Sequence, residues 1–350
     1  MKRFLEIDLI KVFALILMPM SHIYDDFGVY YDLMKNIPEY ATKQLGLLFM
    51  NVPSIFMICL GLGIVFSKNS TPKQLMLRGF SMFLIEIVLN IFRLIIPHSI
   101  AGYFTSTPQL IKDSFEIFFM SDILPFAGFA FLIFALFKKL NLSNKLILLT
   151  GLFCTLIQAF IPQPEIGNVY LRYLTGCFIY VDDSSFFPVI SWIIYPIIGY
   201  FLGQKLIAAE NKIKFYLKVG GFGLFLLSIT IFYLLYTKTI QVRYFLFMET
   251  GFHMDLFTTL IIASTSLITT SIGYFISRLI KNNFLQKTVS IISVNINSIY
   301  CIHWVLVKIL WMFAFIFAYK IEYNWLFIIG FLIFITSSFI AFIRKQFQKV

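Results

Sequence analysis

Long apolar blocks separated by short polar connectors set the pattern of this chain. Ten such blocks fall at roughly 5–24, 45–67, 75–96, 116–137, 145–162, 186–203, 217–237, 255–276, 288–312 and 325–343. Each is close to the ~20 residues that a helix needs to cross a bilayer. The pattern predicts an all-α, polytopic membrane bundle of about ten transmembrane helices, forming a single domain over 1–350. No internal repeat and no low-complexity linker divides it.

Composition agrees with that reading: 59% of the residues are hydrophobic and 13% charged, against about 45–50% and about 25% in soluble domains. The mean hydropathy is +0.87. The connectors alternate in character. KNSTPKQ (68–74), KKLNLSNK (138–145), QKLIAAENKIKFYLK (204–218), SRLIKNNFLQK (277–287) and RKQFQKV (344–350) hold most of the Lys and Arg, while the other set carries Asp25, Asp26, Asp32, Glu39, Asp113, Glu165, Asp182, Asp183 and Glu249. The Lys/Arg bias assigns the basic connectors, and with them both termini, to the cytoplasm. An even number of spans follows. The net charge of +11 is then explained by that bias and by contact with anionic membrane lipids, with no nucleic acid required. Met1-Lys2-Arg3 resembles the basic region of a signal peptide, but Glu6 and Asp8 interrupt its flank and no small-residue cleavage site follows. An uncleaved first span in the cell membrane is expected. The four cysteines give no disulfide framework, and no Cys/His spacing resembles a metal site. Self-association into a homo-oligomer is compatible with the sequence.

Against this apolar background a few polar residues stand out. In the first block, Asp8, Lys11 and His22 are embedded in otherwise apolar sequence, with Asp25 and Asp26 just beyond. At 100° per residue Lys11 and His22 lie ~20° apart in azimuth and Asp8 ~40° from His22, so one stripe climbs the helix. Such groups are costly in hydrocarbon and mark an interior pathway or site. Blander readings exist: an Asp8–Lys11 intrahelical pair, a snorkelling Lys11, an interfacial His22. Pro19 is positioned to kink the helix nearby. In the third block Glu86, Asn90 and Arg93 share a face, either as architecture or as the lining of the same cavity. His253 and Asp255 open the eighth block and form a second hydrogen-bonding pair, again with an interfacial alternative. The ninth, SVNINSIYCIHWVLVK, packs Ser293, Asn295, Asn297, Ser298, Tyr300 and His303 into eleven residues. That density points to a partner helix or a polar cavity. In the second block Gly61-Leu62-Gly63 permits close helix packing, and Tyr24, Tyr30, Tyr31 and Tyr40 suit an interfacial belt.

Two of these stretches resemble one superfamily, the membrane-bound acyltransferase 3 proteins and the related heparan glucosaminide N-acetyltransferases. Arg3, Ile7-Asp8, Lys11 and His22 match the start of those proteins, with Lys11-Val12 where Arg-Gly is usual. Asn297-Ser298-Ile299-Tyr300-Cys301-Ile302-His303-Trp304 resembles their late Ser-x-Tyr-x-x-His-Trp segment. The resemblance implies transfer of an acyl group, usually acetyl from acetyl-CoA as co-substrate, to a hydroxyl or amine of a sugar or glycan across the membrane. It would make His22, supported by Asp25 and Asp26, the general base or acyl carrier, with Asn297, Tyr300 or His303 donating to the thioester oxygen. Arg3, Lys11, Lys68, Lys73 and Arg78, with Asp8 beside them, would serve the acyl-CoA. Glu86, Asn90, Arg93, His253 and Asp255 would serve the acceptor. Lys11 and His22 are ~16 Å apart along the axis, comparable with a pantetheine arm. The rival from another class is a secondary transporter or flippase in which the polar stripes relay protons.

Overall fold

A computed structural model of the chain describes residues 4–120, 122–182, 185–239 and 254–347. The protein is an all-α helical bundle of sixteen α-helices, counted among the described residues; most overlap the predicted blocks, while Val169–Gly176 falls outside all ten and Ile96–Phe104 and Pro108–Ile117 fall almost wholly between them. They are α1 (Leu5–Ile23), α2 (Ala41–Phe49), α3 (Val52–Phe66), α4 (Pro72–Asn90), α5 (Ile96–Phe104), α6 (Pro108–Ile117), α7 (Ile123–Lys139) and α8 (Asn144–Ile157). The chain continues through α9 (Val169–Gly176), α10 (Val189–Trp192), α11 (Ile194–Ile207), α12 (Lys212–Tyr236), α13 (Leu256–Leu279), α14 (Asn283–Val294), α15 (Ile296–Ile316) and α16 (Leu326–Phe347). Among the described residues seven helical stretches are long and apolar enough to cross a membrane: Leu5–Tyr30, Pro72–Phe104, Val189–Ile207, Lys212–Tyr236, Leu256–Leu279, Ile296–Ile316 and Tyr323–Phe347. Shorter apolar helices cover Val52–Phe66 and Asn144–Phe160. The chain is therefore a multi-pass membrane protein.

Local chemistry explains where helices begin and break. The side chains of Asp122, Ser143, Asn211 and Asn282 accept backbone N–H groups at the starts of α7, α8, α12 and α14. Thr71 and Gln74 satisfy each other's backbone amides at the start of α4, the reciprocal pattern of a capping box. The predicted second block is interrupted at Asn51, because Pro53 follows in the first turn of α3 and disfavours continued helix upstream. The ninth block is interrupted at Asn295. Its side-chain amide donates to the Ile291 carbonyl at 2.8 Å and so competes with the backbone ladder.

Two compact units divide the chain. One comprises Gly46–Glu86 and Met120–Phe275, the other Phe4–Leu45, Ile87–Phe119 and Ile276–Val350. Within the first, α3 packs tightly against α11. A Cβ on Gly61 would overlap the Pro196 carbonyl, and one on Gly199 would overlap the Ile58 carbonyl, whereas Gly63 has open space beside it. The close approach expected of the Gly61-Leu62-Gly63 run therefore rests on Gly61. In the second unit α1 packs against α14, α15 and α16, and Gly330 of α16 seats Met20 of α1. A two-residue parallel bridge pairs Met34 with Ile321 and Lys35 with Glu322, tying the loop after the first span to the α15–α16 connection.

Candidate functional site

The second unit gathers the buried ionisable side chains Asp26, Arg93, His98, His303 and Lys308 on three helical stretches. The first is α1. It runs through Pro19 without stopping and then widens into a π-helical turn over Tyr24–Tyr30. Proline lacks the N–H that would bond the carbonyl four residues back, so the ladder is already weakened there. π-turns of this kind recur at functional sites. His22 sits half-buried in the last turn of α1, and Asp25 and Asp26 fall in the π-turn. Asp25 accepts from the Ser21 hydroxyl at 3.5 Å. Asp26 is buried and accepts from the Lys308 ammonium at 2.7 Å.

The second stretch is α15, whose inner face is a ladder of Tyr300, Trp304, Lys308, Trp311 and Phe315 at helical spacing. His22 lies against this ladder, its ring 3.7 Å from that of Trp304 with planes 25° apart. Its ring is also stacked 5.4 Å from that of His303, which is fully buried. The His303 Nδ1 is 3.1 Å from the Ile299 carbonyl. A carbonyl can only accept, so Nδ1 carries the proton, and in neutral His303 the lone pair is on Nε2. Tyr300 stands edge-on to His303 at 5.4 Å, and its hydroxyl accepts the Trp304 Nε1–H at 3.0 Å.

The third stretch follows α4. A second π-turn, Ile91–Ile95, carries the buried Arg93 and leads into α5. Arg93 Nε donates to the Asn90 side-chain carbonyl at 2.7 Å, and Asn90 in turn donates to the Phe118 carbonyl at 2.8 Å. This fixes the guanidinium 4.8 Å over the Trp304 ring, a cation–π contact. One turn on, His98 Nδ1 donates to the Leu94 carbonyl, and its ring stacks on Trp311 at 4.3 Å. With that tautomer the Tyr31 hydroxyl donates to His98 Nε2 at 2.9 Å. Burial first, and Asp26 second, hold the Tyr31 phenol well above its ordinary pKa, so it stays protonated as a donor.

Towards the start of α1, buried Asp8 accepts from Ser290 and Ser293 of α14. Lys11 is half-buried. The stripe predicted on the first span thus faces one interrupted helix, with Asp8 against α14 and His22 against α15. Asn297 is exposed in the first turn of α15.

The remaining predicted site residues belong to the first unit or lie outside the described residues. Lys68 and Lys73 are exposed, and Arg78 is half-buried with its guanidinium 4.2 Å over the Phe131 ring. Nearby, Lys138 Nζ donates to the Ser70 carbonyl at 2.8 Å. Glu86 is buried. Asp255 accepts the Thr258 backbone N–H at 2.7 Å and so caps α13. Arg3 and His253 lie outside the described residues. No group of three or more His, Cys, Asp or Glu side chains that could hold a metal ion occurs among the described residues.

Sequence reasoning missed Lys308, His98 and the pairing role of Tyr31. A signal existed for Lys308, the one charged residue of the apolar run Val305–Met312, since a buried cation in a spanning helix demands a partner. His98, five residues past Arg93, gives no comparable sign. A tyrosine at a membrane boundary reads as an interfacial anchor until its partner is seen.

The family model described as heparan-alpha-glucosaminide N-acetyltransferase, catalytic, matches residues 3–230. That span includes Lys11, His22 and the Glu86–Arg93 segment and ends before α15. Neither a curated protein nor a solved structure matches the chain.

Proposed function

The chain belongs to the heparan-alpha-glucosaminide N-acetyltransferase catalytic family, and on that footing we propose that it moves the acetyl group of acetyl-CoA to an amine or hydroxyl of a sugar or glycan across the membrane. What carries the reading is His22: it lies within the matched residues, half-buried on the Trp304 ring and beside His303.

In the proposed reaction the His22 imidazole takes the proton of the acceptor N–H or O–H. The freed lone pair attacks the thioester carbonyl, a C–N or C–O bond forms, and negative charge develops on the thioester oxygen. Arg93 and the Tyr300 O–H, oriented by accepting the Trp304 N–H, are the groups assigned to that oxygen. Collapse breaks the C–S bond, and the thiolate leaves with the proton held by His22. The His303 Nε2 lone pair makes it the second acid–base group.

The basic residues Lys11, Lys68, Lys73 and Arg78 fit the phosphates of the donor by charge. In this reading ten spans and cytoplasmic termini keep the nucleotide on the cytoplasmic side, and the whole chain acts as one domain. Radiolabelled acetyl-CoA and candidate amino-sugar and glycan acceptors, supplied to proteoliposomes, test it: label transfer by the wild type and its loss in His22→Ala are expected. A wild type that binds no acyl-CoA would overturn the enzyme reading. A fully active His22→Ala would overturn only the role of His22.

A further inference from the structure

The transfer chemistry leaves Lys308 unused, yet it is among the costliest side chains in the bundle. Its ammonium and the Asp26 carboxylate are 2.7 Å apart with side chains only 7% and 6% exposed. Apolar residues of similar volume fill such a site at no loss of stability, so packing alone does not call for this pair. Its surroundings suggest what does. Lys308 Nζ lies 5.8 Å from the Trp304 ring and 5.7 Å from the Trp311 ring, between two indoles of its own helix. Trp304 is the surface on which His22 rests, and Asp26 follows His22 by four residues on the same helical stretch.

We propose that the buried Asp26–Lys308 pair is a positioning element for His22, clamping the Trp304 platform and balancing one charge of each sign around the imidazole. This rests on the reading of His22 as the base of acetyl transfer. The other groups at that level are Asp25 on the first span, Arg93 on the third, and Tyr300 and His303 on α15. His98 and Tyr31 lie beyond, against Trp311, while Asp8 and Lys11 are several turns down α1. α16 brings Gly330 against Met20 and no ionisable side chain before Arg344. Removing either member of the pair leaves the other uncompensated, and the two deletions act on His22 with opposite sign. A unit charge ~9 Å away at an effective dielectric constant of ~20 moves a titration midpoint by about one pH unit.

The test is the pH dependence of His22 labelling by diethyl pyrocarbonate, which reacts with unprotonated imidazole, read by mass spectrometry on the full chain in nanodiscs. In Lys308→Met the midpoint should rise by about one pH unit, because the Asp26 carboxylate then favours the imidazolium. In Asp26→Asn it should fall by about as much, and in the double variant it should return close to wild type. Lys308→Gln, which retains a hydrogen bond to Asp26, replaces the Met variant if that one fails to fold, with the same upward shift expected. Midpoints that stay put, or that move in the same direction in both single variants, would overturn the proposal. Labelling needs no acetyl transfer, so a failure of the enzyme reading registers separately, in the proteoliposome assay.

Discussion

The His22 imidazole lies on the Trp304 indole with ring centroids 3.7 Å apart and planes 25° apart. The same indole meets the Arg93 guanidinium at 4.8 Å. Ring stacking contributes about 0.5–1.5 kcal/mol beyond area burial, and its loss frees two groups at once. Trp304→Ala should therefore lower acetyl transfer by about 10- to 100-fold, as misplaced catalytic groups do. Trp304→Phe, which keeps a ring but not the N–H given to Tyr300, should fall between Trp304→Ala and wild type. Initial rates in proteoliposomes, normalised to protein that survives gel filtration, provide the comparison.

His303 invites a replacement that separates its two nitrogens. Its Nδ1–H donates to the Ile299 carbonyl, a bond that the shorter amide of His303→Asn can reproduce. Thermal unfolding of that variant should stay near wild type, while transfer falls by about 100-fold or more, the usual cost of losing an acid–base group. An unchanged rate would limit His303 to packing.

Two neighbouring glycines should differ sharply. Gly61→Ala drives a methyl into the Pro196 carbonyl, and Gly199→Ala drives one into the Ile58 carbonyl. Overpacking of this kind costs about 1–3 kcal/mol, and backbone atoms cannot rotate away. Gly63→Ala meets nothing within 4 Å and should be tolerated. Melting curves of the three variants in one detergent decide the matter.

Asp255 caps α13 through the Thr258 N–H. Asp255→Ala should lose about 1 kcal/mol of stability, and Asp255→Ser, whose hydroxyl accepts equally well, should recover most of it. Should Asp255→Ser also leave the KM for the acceptor unchanged, the carboxylate has no part in gripping substrate.

How far the sequence reveals this arrangement depends on the kind of signal each residue gives. Asp8, Lys11 and His22 are legible because charge inside a long apolar run is costly wherever the fold puts it, and one continuous helix holds all three. Helix breaks at Asn51 and Asn295 are harder to read. Each depends on a neighbouring proline or a side-chain amide overriding an apolar pattern that continues past it. Both π-turns escape an azimuth argument built on 100° per residue, so Lys308 could not be assigned to Asp26 from spacing, whereas Asn90, three residues before Arg93, already shared its predicted face. Trp304 receives His22 from the first span and Arg93 from the stretch after α4, besides Lys308 of its own helix, and only the fold brings the first two to it.

The π-turn after α1 closes its ladder one residue later than an α-helix does. A single residue removed between Tyr24 and Tyr30 would let the ladder relax to ordinary α-helix. Because a π-turn holds one residue more than the α-turn it replaces, the chain leaving the turn would keep nearly its present facing, and the change would fall on the side chains inside the turn, Asp26 among them. A one-codon deletion here therefore probes the Asp26–Lys308 pairing with little turning of the chain that follows.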